Sequence, residues 1–270
     1  MQNIPFLQWL KSAAAFVISF AVILFPGLSA SPDSAEIARL RQTPLALSES
    51  FTITAHAGAM HLPDNSAAAL LAAVTAGFDT VEMDLSYRSD GTPVIIHHSA
   101  PGPDEGLPLD DALAIVALSG KTKVNLDNKS VANLPEVYRL VVRHGLAGRV
   151  FFTGVDERVA ALLKAQCPLP YYLNCAIEPE SRDSRSYMQQ LAQRALAGGF
   201  LGINCDFRGV SPTVVDVMHE NGLLVSVWTV NDNIDLYRML SLSVDNITTR
   251  EPGRLRLIIR TWAAAQPLPA

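Results

Sequence analysis

Two carboxylates one residue apart, Glu82 and Asp84, sit inside the apolar run Phe78-Asp79-Thr80-Val81-Glu82-Met83-Asp84-Leu85. Extended backbone has a side-chain period of two, so a strand here puts Val81, Met83 and Leu85 on one face and both acids on the other. Sharing one face of an interior strand costs each carboxylate desolvation and like-charge repulsion. A bound cation offsets both, and oxygen-only ligands select a hard one, Mg²⁺ or Ca²⁺. The competing reading is a solvated strand end with two surface acids. Residues elsewhere in the chain decide between them.

Two histidines fall at comparable positions. His56 ends a strand candidate at 52–56, on the face of Thr52 and Thr54 and opposite Phe51, Ile53 and Ala55. Beyond Asp84 the chain reads Leu85-Ser86-Tyr87-Arg88-Ser89-Asp90-Gly91, and Asp-Gly is a hairpin signal. A return strand through Val94, Ile95 and Ile96 brings His97 back to about the level of Asp84, with His98 on the opposite face. Two imidazoles beside a carboxylate cluster can remove one proton and donate another near neutral pH. In the strand candidate at 123–128, Val124 and Leu126 face one way, and Lys123, Asn125, Asp127 and Lys129 the other. Asp127 is then a third cation ligand or a strand-end cap. Lys129 either holds an anionic oxygen or is a solvated loop lysine. Trp228 forms an apolar wall of the pocket or packs the barrel. His61 and His98 have no role by parity.

These side chains need a frame that gathers strand ends. Strand candidates lie at 52–56, 80–86, 123–128, 150–153, 171–175, 200–204, 223–228 and 244–248, alternating with helical patterns. Gly77, Gly145 and Gly222 stand just past helix ends, where a left-handed residue closes the last turn. Eight strands alternating with eight helices predict an α/β fold, a (β/α)₈ TIM-type barrel with a hairpin return after strand two. Polar side chains at the C-terminal mouth are where such barrels keep their chemistry. A doubly wound open sheet competes, but no glycine-rich phosphate turn follows the first strand.

The 270 residues suffice for one large barrel. Net charge is −5, or −6 without the first thirty residues, whose only charge is Lys11. That acidity excludes a nucleic-acid groove, which needs a basic stripe, while leaving room for a phosphate substrate neutralised by a metal. After Lys11 come fourteen uncharged residues, SAAAFVISFAVILF, closed by Pro26-Gly27. This predicts a signal peptide over residues 1–30, cleaved near Ser29 or Ala30, or an uncleaved N-terminal membrane anchor. Both place the remainder on the exported side (periplasmic, secreted or lumenal), the anchor with membrane association. A linker at 31–50, a barrel at 51–262 and a tail at 263–270 complete the expected organisation. Of the three cysteines, Cys175 and Cys205 end neighbouring strands, about 4.8 Å apart. They are expected to lie close enough to bridge.

Read together, these motifs resemble the glycerophosphodiester phosphodiesterase family, of the phospholipase-C-like barrel type. The family's opening H-R-G-A and P-E-N-T appear as His56-Ala57-Gly58-Ala59 and Pro63-Asp64-Asn65-Ser66. Its E-x-D pair appears as Glu82-Met83-Asp84, and its D-G-x-P-V-x-x-H as Asp90-Gly91-Thr92-Pro93-Val94-Ile95-Ile96-His97. Asn125-Leu126-Asp127-Asn128-Lys129 is similar to N-x-E-x-K, and Val227-Trp228-Thr229-Val230-Asn231-Asp232 to V-W-T-V-N-D. Val244-Asp245-Asn246-Ile247-Thr248 follows V-D-G-I-x-T, so the resemblance runs over residues 51–255 in order. The chain departs from the pattern at Ala57, where the family has a phosphate-contacting arginine, and at Asp64 and Asp127, where glutamate is usual. The stretch 99–107 is also shorter than the family's insertion.

The resemblance implies metal-assisted hydrolysis of a phosphodiester, foremost a glycerophosphodiester to glycerol 3-phosphate and an alcohol. Glu82, Asp84 and Asp127 would hold one Mg²⁺ or Ca²⁺, His56 and His97 would handle the protons, and Lys129 and Trp228 would contact the substrate. The alternatives are a lysophospholipid or sphingolipid-like diester as substrate, and a barrel that binds a phosphorylated ligand without turnover. Metal-dependent hydrolysis separates enzyme from binding protein, and head-group preference separates the two enzymes.

Overall fold

The structure, a computed structural model, describes residues 32–265. The expected signal peptide or anchor at 1–30 lies outside the described residues. Among those described, no helix is long and apolar enough to cross a membrane. The described residues divide into two units, with the boundary between Arg39 and Leu40. The first contributes most of helix α1 (Pro32–Leu40), within the stretch that reads as a linker. Asp33 lies in its first turn and Arg39 in its last, each at the end whose partial charge it complements.

The second unit begins with β1 (Thr52–Ala55), α2 (Ala67–Thr75), β2 (Thr80–Tyr87), β3 (Pro93–Ile95) and β4 (Leu107–Pro108). Next come α3 (Leu109–Ala117), β5 (Lys123–Asn128), α4 (Leu134–Arg143), β6 (Val150–Val155), α5 (Glu157–Gln166) and β7 (Tyr171–Asn174). It ends with α6 (Arg185–Gly198), β8 (Gly202–Asp206), α7 (Pro212–Glu220), β9 (Leu224–Trp228), α8 (Asn233–Ser241), β10 (Asn246–Thr249) and α9 (Pro252–Ala264). All strands but β3 and β4 pair in parallel, and β1 pairs with both β2 and β10. The sheet is thereby closed into the expected (β/α)₈ barrel.

Polarity follows the period of two, while β2 is buried along its whole length. Val81, Met83 and Leu85 of β2, with Val124 and Leu126 of β5, are buried on the helix side. Helix α4 shows the matching pattern, with Leu134, Val137, Leu140 and Val141 buried and Glu136 and Arg139 paired in solvent. At the other side of the strands, the lumen is polar and joined by hydrogen bonds. Thr54 Oγ1 donates to Asn246 Oδ1 (2.6 Å), and Asn246 Nδ2 to Ser226 Oγ (2.9 Å). Ser226 Oγ donates to Asn204 Oδ1 and Asn204 Nδ2 to Asn174 Oδ1, each at 2.9 Å, and the Gly154 N–H also donates to Asn174 Oδ1 (2.8 Å). This girdle satisfies buried polar groups that an apolar lumen would strand.

The hairpin return is present. Leu85 faces Ile95 and Tyr87 faces Pro93, and the Ile96 N–H donates to Asp84 O (2.9 Å). Gly91 takes φ of 83° at the turn, as a hairpin after Asp90 requires. The short strand β4 then adds to β3 in antiparallel fashion, an element too brief to read from sequence. Cys175 and Cys205 are neighbours as expected. Their thiols share a hydrogen bond, which together with burial pushes the Cys205 thiol up, and the two sulfurs are unlinked.

Candidate active site

Every residue singled out above for chemistry (His56, Glu82, Asp84, His97, Asp127, Lys129 and Trp228) lines one cavity of about 310 Å³ at the C-terminal mouth of the barrel. Strand register explains the gathering. Parallel pairing of β2 with β5 sets Glu82 beside Asn125 and Asp84 beside Asp127. Ligand oxygens of Glu82, Asp84 and Asp127 consequently lie within 4.8 Å of one another. His61 and His98 stay outside the cavity and pair with Glu251 and Glu105.

Each acid is held differently. Glu82 is 4% exposed. Its Oε2 accepts the Ala57 N–H (2.8 Å), yet burial, Asp84 and Asp127 push its carboxyl well above the usual range. Burial also opposes ionisation of Asp84, but the Asn65 amide and the Lys129 ammonium outweigh it and hold Asp84 below the ordinary carboxylate value. Asn65 Nδ2 donates to Asp84 Oδ2 (2.7 Å), and the Asp84 N–H donates to Asn65 Oδ1 (2.9 Å). Asn65 reaches this pose at φ of 55°, a left-handed backbone that asparagine tolerates better than most residues. Thr153 Oγ1 donates to Asp127 Oδ1 (2.7 Å). Lys129 Nζ lies 3.0 Å from Asp84 Oδ1 and contacts Asp127 Oδ2. Burial lowers the lysine pKa, but the two acids outweigh it and raise it above the ordinary lysine value.

The histidines stand in contrasting surroundings. His97 Nδ1 is 3.2 Å from Asp84 Oδ2, with its side chain 78% exposed. His56 is half-buried and accepts a long hydrogen bond from the Gly58 N–H (3.4 Å). Burial first and Arg250 second depress its pKa, against the opposing pull of Asp84 and Asp64. Arg250 grips Asp64 through two hydrogen bonds of 2.7 and 2.8 Å. A Cβ on Gly58 would stand 1.7 Å from Asp64 Oδ1 and 2.6 Å from Arg250 Nη1, so only glycine allows this packing.

Three carboxylates of net negative charge, one fully desolvated, leave their repulsion only partly met by Lys129. That donor set suits a hard divalent cation. Residues given no role from sequence also build the site, namely Asn65, Arg250, Asn125, Asn174 and Asn204. The Asn-Cys dipeptide repeated at 174–175 and 204–205 is the one sequence signal for the last two.

The sequence model of the glycerophosphoryl diester phosphodiesterase family matches residues 56–100 and 114–254. The chain belongs to this family. It is therefore an enzyme that hydrolyses phosphodiesters, from a family that uses a divalent metal. The residues between the two matched stretches, 101–113, include β4 and most of the region that is shorter than the family's usual insertion. A glycerophosphodiester phosphodiesterase of Caldanaerobacter subterraneus subsp. tengcongensis is 24% identical over 239 residues, 77% of this chain and 97% of the relative. An Oleispira antarctica phosphodiesterase, solved with the product sn-glycerol-3-phosphate, superposes with TM-score 0.64 at 20% identity, covering 77% of this chain and 96% of that one. A glycerophosphodiester phosphodiesterase of Parabacteroides distasonis gives TM-score 0.62 at 19% identity, over 80% and 99%. These two likenesses show the shared fold.

Proposed function

We propose that this phosphodiesterase hydrolyses a glycerophosphodiester to glycerol 3-phosphate and an alcohol, using one divalent cation, Mg²⁺ or Ca²⁺, and two histidines. The observation that carries the reading is the convergence of Glu82, Asp84 and Asp127, flanked by His56 and His97, on one cavity. The three acids would hold the cation. When bound, it polarises the phosphate oxygens and offsets their charge.

The chain's own residues supply the rest. His56, whose pKa burial and Arg250 depress, takes the proton of the attacking group, a substrate hydroxyl or water. His97, held through Nδ1 by Asp84, gives a proton to the leaving alkoxide through its other nitrogen. Lys129 lines the cavity and places positive charge where negative charge builds on the phosphate in the transition state. Arg250, bound to Asp64, reaches the Gly58 carbonyl next to Ala57 and acts on His56 through its charge. Trp228, 38% exposed, forms part of the wall.

The assignment is tested with glycerophosphocholine and with the p-nitrophenyl ester of glycerol 3-phosphate. Chelator should abolish turnover of both, and Mg²⁺ or Ca²⁺ should restore it. On the choline diester both His56→Ala and His97→Ala should lose about 10²-fold or more. On the nitrophenyl ester, whose leaving group needs no proton, His97→Ala should recover most of its activity and His56→Ala should not. Activity indifferent to chelator, or recovery by His56→Ala instead, would reject the metal or reverse the histidine roles respectively.

A further inference from the structure

A second cleft, of about 520 Å³, opens beside the catalytic cavity between the segment after β5 and the first turns of α5. Asn128, Lys129, Gly154 and Asn174 line both spaces. The cleft is therefore a side chamber of the active site, of a size that accepts small organic ligands. Gly154 forms the sill between them. It adopts φ of 68°, and a Cβ there would come within 2.5 Å of Asn128 O, so the sill is bare backbone.

Chemistry differs between the walls. Val131 and Leu162 give an aliphatic side, with buried Val155 and Val159 behind them, and Arg158 a cationic one. Asp156, the acid that also lines the cleft, is engaged in capping α5, its Oδ1 accepting the Val159 N–H at 2.7 Å. Helix electrostatics do not explain Arg158. It lies in the first turn of α5, where the macrodipole disfavours a cation. Its neighbour Glu157 is taken by Arg194. Arg158 itself is exposed, with no hydrogen bond or ion pair among the described residues. An arginine left unpaired on a chamber that opens into a phosphodiesterase site is placed to meet an anion.

We infer that this chamber seats the alcohol portion of the diester, and that Arg158 selects an alcohol carrying its own anionic group, a carboxylate or a second phosphate. The inference rests on the hydrolytic reading given above. The aliphatic side of the chamber packs the carbon skeleton of the alcohol, and the guanidinium pairs with its charge. A cationic head group such as choline meets the wrong sign.

Steady-state kinetics on three diesters decide it: glycerophosphocholine, glycerophosphoinositol and glycerophosphoinositol 4-phosphate. The wild-type enzyme should show the highest kcat/KM on the last. Arg158→Ala should lower the ratio of anionic to cationic kcat/KM by about tenfold, chiefly through KM, as loss of uniform binding does. Arg158→Lys should retain most of the ratio, and Arg158→Glu should invert it. Leu162→Trp, which fills the chamber without touching charge, should raise KM for all three. An unchanged ratio in Arg158→Ala and Arg158→Glu, in enzyme that still hydrolyses the diesters, would overturn the inference. Failure of wild-type enzyme to hydrolyse any of the three would instead overturn the hydrolytic reading beneath it.

Discussion

A histidine works as a base near neutral pH only while it is unprotonated, and the neighbours of His56, the proposed base, favour that form. Burial contributes most and Arg250 next, while Asp84 and Asp64 oppose them. The Arg250–Asp64 pair is substantially exposed, at 40% and 47%, so it adds little to stability. Its consequence is electrostatic. Arg250→Gln removes a lowering influence on His56 and frees the Asp64 charge, which raises it. Both changes act in one direction, so the acid limb of kcat/KM, which lies below the ordinary histidine value in wild-type enzyme, should move to higher pH. At pH well above that limb the two proteins should differ less, because His56 is then unprotonated in both. A pH–rate profile of both proteins measures this, and an unmoved limb would show that the charge does not reach His56. His56, Glu82, Asp84, His97, Asp127 and Lys129 were legible because each lies on a strand or just past its end, where counting by two works. Arg250 was not, since its importance comes from Asp64, 186 positions away. Asn65 was hidden for a similar reason, because its value lies in a left-handed backbone that aims its amide at Asp84.

At the scale of elements, the polar girdle holds strand ends at the level the site requires. Asn246 is a junction within it, accepting from Thr52 and Thr54 and donating to Ser226. Replacing it with leucine leaves the buried Thr54 and Ser226 hydroxyls and half-buried Thr52 short of a partner, at about 1–3 kcal/mol per unsatisfied group. Asn246→Leu should therefore lose about 2–4 kcal/mol in urea unfolding. Exposed Thr261→Val, outside the girdle, should change little. Equal losses in the two variants would mean that the girdle confers no particular stability. The hairpin carrying His97 was readable because Asp90-Gly91 fixes the turn and the strand period fixes the level of the return. Counting fails where the ladder shifts. Between β6 and β7 the register slips across 152–155, so Gly154 and Asn174 enter the site at positions that parity could not assign. Strand β4 has two residues and leaves no periodic trace.

The whole molecule bears the cost of its site. Glu82, Asp84 and Asp127 repel one another within 4.8 Å, inside a chain whose net charge is already −5. Folding brings these charges together, so a cation that binds only the folded barrel stabilises it by mass action. At one hundred times its dissociation constant the gain is about 2.7 kcal/mol. For a chain of this length that corresponds to roughly 5–10 °C in Tm. Thermal unfolding with chelator and then with excess Mg²⁺ or Ca²⁺ should show this rise, with the larger shift naming the preferred ion. Glu82→Gln should behave in two opposite ways. In chelator it should melt higher than wild type, because a desolvated charge and its repulsions are gone. With cation added it should gain little, because a ligand is gone too. If wild type gains nothing from either ion, or the variant gains as much as wild type, the three acids are not the cation site. A variant that is more stable yet inactive would show that the fold tolerates this cluster for chemistry and not for stability.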